Sequence, residues 1–170
     1  MFAALVSVGM EVVFTKTNHE RHELALVRDD GTREVASDLE TRSYLRHDFM
    51  HYVVEKEAGL KHSFYGSVVA GKTFADMRMD AHAQNRESPN RLVGEGGLTE
   101  LIVASLQGAQ KEGFSVDELL TQLPGYLKVQ GFDTPAYLTR DFVERATKAF
   151  AYLLKRYDGL KTGEALTLTF

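Results

Sequence analysis

Residues 46–55 read RHDFMHYVVE and bring His47, Asp48, His51 and Glu55 within ten positions. On an α-helix, side chains four positions apart share a face, one turn above the other. His47 and His51 therefore have the spacing by which two imidazoles of one helix chelate one ion, as in the H-E-x-x-H zinc helix. Glu55, one turn further on, is placed to be a third ligand, a partner of a ligand or a general base. Asp48 points to one side, where it could orient an imidazole by accepting its second N–H. The pattern predicts metal ligands at His47, His51 and Glu55, and catalytic carboxylates at Asp48 and Glu55.

Which way this motif faces follows from the helix expected over residues 39–58. At about 100° per residue, Arg42, Arg46, Lys56 and Glu57 gather in one charged arc, with Val53 among them. Long charged side chains are almost never buried unpaired, so this arc should face solvent. Tyr44, His47, Asp48, His51 and Glu55 lie opposite it. Met50, Val54 and Ala58 flank them on one side; Leu45, Phe49 and Tyr52 flank them on the other. The motif should point inward between apolar shoulders. A buried carboxylate is costly unless paired, hydrogen-bonded, protonated or metal-bound. Two readings stay open: a metal or acid–base site, or a buried hydrogen-bond network in which imidazoles donate to carboxylates and carbonyls.

Other polar residues carry weaker signals. His62 follows the helix and reads as a turn histidine, with a further ligand as the alternative. His19 and His22 fall in a polar connection and read as solvated. Asp76, Asp80 and His82 share FADMRMDAH, where a solvated helix face is the simpler reading. Gly94-Glu95-Gly96-Gly97 precedes a helix but lacks the Lys-Ser/Thr of a phosphate loop. No G-x-S-x-G is present, so a serine-hydrolase elbow has no support.

Composition narrows the chemistry. The 170 residues suit one domain with an ordinary core. A net charge of −4 supplies no general basic face for nucleic acid. With no cysteine, disulfides, thiolate zinc sites and cysteine nucleophiles are excluded, and a metal must be held by His, Asp and Glu. No apolar run approaches the ~20 residues of a membrane span, and a cytoplasmic location is expected. Residues 1–9 are apolar but lack the basic start of a signal peptide. Met10 is an alternative start, which would make these residues an extra strand or an extension.

The elements that must position the motif read as strands, then helices, then one strand. Met10–Lys16 and residues 23–28 are rich in β-branched and apolar residues, and Asp30-Gly31 is a hairpin signal before REVAS. Ser37-Asp38-Leu39-Glu40 has the capping-box pattern and is expected to open the helix of residues 39–58, with Gly59 as its C-terminal cap. A second helix begins near Ser63, with small residues at Gly66, Ser67, Ala70 and Gly71. Residues 85–90 read as a loop and residues 98–111 as a third helix. Ser115–Glu118 is another capping box, opening a short helix expected to stop at Pro124. Thr139 caps a final helix over residues 140–157, and residues 163–170 alternate as a terminal strand. A lone strand must pair, and the N-terminal hairpin is the available partner. The fold class is α+β: a small, mostly antiparallel sheet packed on a bundle of four to five helices.

The segment around R-H-D-x-x-H-x-x-V-E, with the Gly59-Leu60 turn after it, resembles a bacterial family of small uncharacterised proteins over about residues 43–72. The resemblance implies no named activity and brings no catalytic residues. His47-Asp48-x-x-His51, an HDxxH pattern, is also similar to the core of a family of ubiquinone-biosynthesis proteins that carry a metal motif on a helix. Their motif continues with a later glutamate; Ser63 stands near that position here, and Glu55 and Glu57 come earlier. The residues point to a small protein holding a divalent metal such as Zn²⁺ and acting as a hydrolase or lyase on a small molecule. The alternative is a non-catalytic ligand-binding or self-associating protein, with a homodimer as the default assembly.

Overall fold

The structure is a computed structural model that describes residues 9–87 and 92–170. The expectations for residues 1–8, and for residues 88–90 of the loop, lie outside them. The chain order is β1 (Met10–Lys16), β2 (Arg21–Arg28), β3 (Arg33–Glu40), a π-helical turn (Thr41–Leu45), α1 (Arg46–Ala58), α2 (Phe64–Val69), α3 (Phe74–Glu87), α4 (Gly94–Glu112), α5 (Val116–Val129), α6 (Arg140–Asp158) and β4 (Ala165–Thr169). The strands form an antiparallel sheet in the order β3-β2-β1-β4, so the terminal strand closes on β1 as expected. The fold is α+β, with six helices in the described residues where four or five were expected.

Strand alternation builds one face of the core. Met10, Val12 and Phe14 of β1 point inward, and their partners Leu24 and Leu26 of β2 do the same. Because β2 begins at Arg21, His22 falls on the same parity as Leu24 and Leu26 and is fully buried, 6.4 Å from the Phe14 ring. The expectation of a solvated His22 is corrected. The true connection is shorter, and the Asn18 side chain closes it by accepting from the Glu20 and Arg21 amides.

The predicted capping box at Ser37 is also corrected. Residues 37–40 belong to β3, where the register against β2 shifts between His22 and Leu24. Asp38 takes a positive φ of 57° there, the conformation of a β-bulge. Ser37 Oγ donates to Glu23 Oε2 across the strands rather than serving a helix start. The helix proper therefore begins later, at Arg46. In α5 the chain runs through Pro124 instead of stopping: Leu119, Leu123 and Leu127 form a buried stripe on both sides of the proline. Their packing outweighs the missing hydrogen bond.

Helix α1 is the central element. Residues 49–55 are all buried, because the helix packs against α6 on one side and α4 on another. Arg42, Arg46, Lys56 and Glu57 are exposed, so the charged arc faces solvent as the sequence suggested. Val53 is buried, Arg46 lies over the Phe150 ring at 5.2 Å, and Glu57 accepts from Arg145 of α6 at 2.9 Å.

Helix α2 has only six residues, too few to be stable alone. It is held at both ends. Glu55 of α1 accepts from its first amides, while Arg28 of β2 donates through Nε to Val68 O and through Nη2 to Lys72 O. Anion at the start and cation at the end both suit the helix dipole. Gly66 permits this placement: a Cβ there would lie 2.5 Å from Leu60 O and 2.7 Å from Lys61 Cα, both backbone. Of the small residues in this stretch, Gly66 serves a close approach to the preceding turn. Gly66→Ala should lower stability by about 1–3 kcal/mol in urea unfolding. Gly108→Ala, at an exposed position of α4 with nothing within 4 Å of the added Cβ, should raise it by about 0.5–1 kcal/mol.

Candidate metal centre

His47 and His51 sit one turn apart on α1, with ring centroids 4.6 Å apart and planes at 48°. Each ring gives its two nitrogens different work. His51 Nδ1 is 3.1 Å from Glu55 Oε1, and His47 Nδ1 is 3.4 Å from Asp48 Oδ1. Both Nε2 atoms turn to one carboxylate on α4: His47 Nε2 is 3.4 Å from Glu100 Oε2, and His51 Nε2 is 3.2 Å from Glu100 Oε1. One ligand atom from each of His47, His51 and Glu100 lies within 4.8 Å of the others, so this group could hold a metal ion.

Glu55 plays a different part from the ligand or base predicted for it. It has no solvent exposure. Oε1 meets His51 Nδ1 and the Phe64 amide, and Oε2 accepts from the amides of Tyr65 and Gly66 at 2.8 and 3.3 Å. A carboxylate offers about four acceptor positions, and these four donors occupy them. With its acceptor positions so occupied, Glu55 stands as the Nδ1 partner of His51. Asp48 Oδ1 lies against His47 Nδ1, and Tyr65 Oη donates to the Asp48 backbone carbonyl at 3.1 Å.

The third member of the group, Glu100, escaped the sequence reading. Its signal was faint: on α4 it neighbours the buried Gly97 and Val103 at i−3 and i+3, a carboxylate on the shoulder of an apolar stripe. Nothing local says that this shoulder meets α1. Helix α4 also secures the turn before α2. Glu95 Oε1 accepts from the His62 amide at 2.5 Å, and Ser63 Oγ pairs with Thr99 Oγ1 at 2.7 Å. The Gly-rich start of α4 serves packing here, since a Cβ on Gly97 would come within 2.9 Å of the Leu92 backbone. His62 is exposed and outside the group. Asp76 caps α3 through Thr73, Asp80 pairs with Lys72 at 2.6 Å, and His82 is exposed.

Electrostatics tie the three residues together. The carboxylates of Asp48 and Glu100 raise His47 to about 9 against the effect of its partial burial. Burial alone would lower His51, but Glu100 and Glu55 outweigh it and raise the ring. Burial would likewise raise Glu100, yet hydrogen bonds and charge from the two imidazoles hold it well below the ordinary carboxylate range. One atom remains unanswered: His51 Nε2 is buried and lacks an aligned hydrogen-bond partner, although Glu100 is close. An imidazole that donates through Nδ1 presents a lone pair at Nε2. Beside a carboxylate, that lone pair calls for a cation, either a proton or a metal. Each Nε2 faces a different oxygen of Glu100, at 3.4 and 3.2 Å, and a tetrahedral ion with bonds of about 2.0–2.1 Å separates its ligand atoms by about 3.3 Å. A cavity of about 790 Å³ adjoins the group, with His51 and Glu100 on its wall beside α2, α3 and the start of α4.

No protein-family model matches the chain, and no curated protein or solved structure matches it significantly. Among the described residues, no helix is long and apolar enough to cross a membrane.

The ion-free cluster has a defined pH signature. His47 binds its proton more tightly when folded, so its contribution is complete below 6.5 and is lost as pH rises through about 9. His51 acts in the same sense. Glu100 is depressed, so its contribution is present above 4.5 and is lost as pH falls. Thermal unfolding of metal-stripped protein should show a decline in stability between pH 6.5 and about 9, and Glu100→Gln should flatten it.

Proposed function

We propose that this protein binds one divalent metal ion through His47 Nε2, His51 Nε2 and Glu100, and carries out metal-dependent hydrolytic or lyase chemistry on a small molecule in the adjoining cavity. The observation that carries this reading is the convergence of both Nε2 atoms on one carboxylate while both Nδ1 atoms are held by others. Carboxylate–histidine–metal relays use this arrangement to set the tautomer and strengthen the ligand. Two histidines and a glutamate, with a fourth position open, are a donor set of catalytic zinc sites. The set also suits Fe²⁺. When bound, such an ion supplies Lewis acidity and an activated water. The chain's own part is fixed orientation: Asp48 holds the Nδ1 proton of His47, Glu55 holds that of His51, and α4 sets the distance of Glu100.

The second reading is a network without metal, in which protonated imidazoles clamp Glu100. The elevated His47 favours it, since that ring carries a proton at neutral pH in the ion-free protein.

Metal analysis of protein purified without a nickel column separates the two. The proposal expects about one Zn²⁺ or Fe²⁺ per chain, and a rise in melting temperature corresponding to about 2.7 kcal/mol at a hundredfold excess over Kd. His51→Ala should abolish uptake. Glu55→Gln should weaken it about 10–100-fold, provided the variant remains folded by circular dichroism. Substoichiometric metal, with a melting temperature unmoved by Zn²⁺, Mn²⁺ or Fe²⁺, would overturn the metal reading in favour of the network.

A further inference from the structure

Helix α3 is unusual in this molecule because none of its described side chains is buried. It nevertheless carries an apolar stripe, Phe74, Met77 and Ala81, at the i, i+3, i+7 spacing of a core-facing helix. That stripe faces two adjoining cavities. The cavity of about 790 Å³ holds His51 and Glu100 on its wall. A second pocket of about 330 Å³ is lined by Leu24 and Leu39 of the sheet, by Phe74, Met77 and Arg78 of α3, and by Asp48 of α1. Phe64, Met77 and Ala81 line both. The carboxylate that orients His47 thus borders the apolar pocket, while the two residues facing each other at the proposed ion border the polar one. Phe64 of α2 and Phe74 of α3 stack with ring centroids 5.8 Å apart, and both line the second pocket. Glu34 of β3 fixes the start of α3 by accepting from the Phe74 amide at 2.9 Å.

We infer that the substrate of this site is amphiphilic: an oxygen-bearing polar head at the His47–His51–Glu100 cluster, and an alkyl or aryl tail in the pocket between α3 and strands β2 and β3. The inference rests on the metal reading for the head and on an independent feature, the second pocket, for the tail. Two observations support it. The pocket's walls are predominantly apolar side chains left half-buried by the fold, the setting in which a ligand's apolar surface gains most from leaving water. The buried His51 Nε2, without an aligned partner beside Glu100, marks the end at which the ion would sit and an oxygen-bearing head would meet it. A wholly polar substrate would leave Leu39, Phe74 and Met77 uncovered.

Straight-chain hydroxamic acids from two to ten carbons are suitable probes, because the hydroxamate chelates the ion while the chain samples the pocket. Isothermal titration against the zinc-loaded protein should show affinity rising with each methylene, by up to about fourfold per step, until the pocket is filled. Met77→Asp should flatten that rise. Met79→Asp, on the same helix but 70% exposed, should leave it intact. Affinity independent of chain length, or a rise that survives Met77→Asp, overturns the inference while the metal site stands. If zinc does not bind, a chain-length rise in the metal-free protein keeps the tail pocket and overturns only the metal reading; a flat series overturns both. Sedimentation velocity closes the remaining route: a dimer that Met77→Asp dissociates would mean that a second copy covers this face, and the inference fails.

Discussion

The Glu55 carboxylate is shut off from water, so its charge must be balanced by protein alone. Three backbone amides of the chain entering α2 and one imidazole of α1 provide that balance. An uncompensated carboxylate in this position would cost several kcal/mol, so the turn between α1 and α2 has little freedom to move. The six-residue α2 exists because of this anchor at one end and Arg28 at the other. The orientation of His51 follows from the same carboxylate, which fixes Nδ1 and thereby aims Nε2.

Glu100 is balanced in a different way. Its side chain is half exposed, and its partners are two imidazole nitrogens rather than backbone amides. Amides cannot give up their protons at ordinary pH, whereas imidazoles can. The Glu55 arrangement is therefore permanent and the Glu100 arrangement is exchangeable: a proton on each ring and a metal ion shared between them are competing ways to neutralise one carboxylate. The exchangeable group borders a cavity, and the amide-bound group holds the helix that carries both rings.

Much of this was legible in the chain. The hairpin at Asp30-Gly31, the capping box at Ser115, the Thr139 cap and the closing strand all follow from local rules that the structure obeys. The inward direction of His51 and Glu55 follows from helical periodicity. Where local rules failed, a longer-range term had won. Ser37–Glu40 carries a helix-start pattern, but pairing with β2 draws it into the sheet and expresses the irregularity as a bulge at Asp38. His22 looks like a loop residue until the register of β2 counts it with Leu24. Pro124 should end a helix, yet leucines on either side of it keep α5 intact.

The sequence by itself determined the donors on α1: two imidazoles on one face, a carboxylate beside each, and an interior destination for His51 and Glu55, because these depend only on helical spacing and on the placement of charge. The tertiary structure alone decided which carboxylate would meet the Nε2 atoms. Glu55 and Glu100 are equally acidic as residue types. One is consumed by the amides of a neighbouring helix start and the other is left facing the rings. That division depends on how α2 and α4 pack against α1, and packing between helices leaves no periodic trace in any one of them.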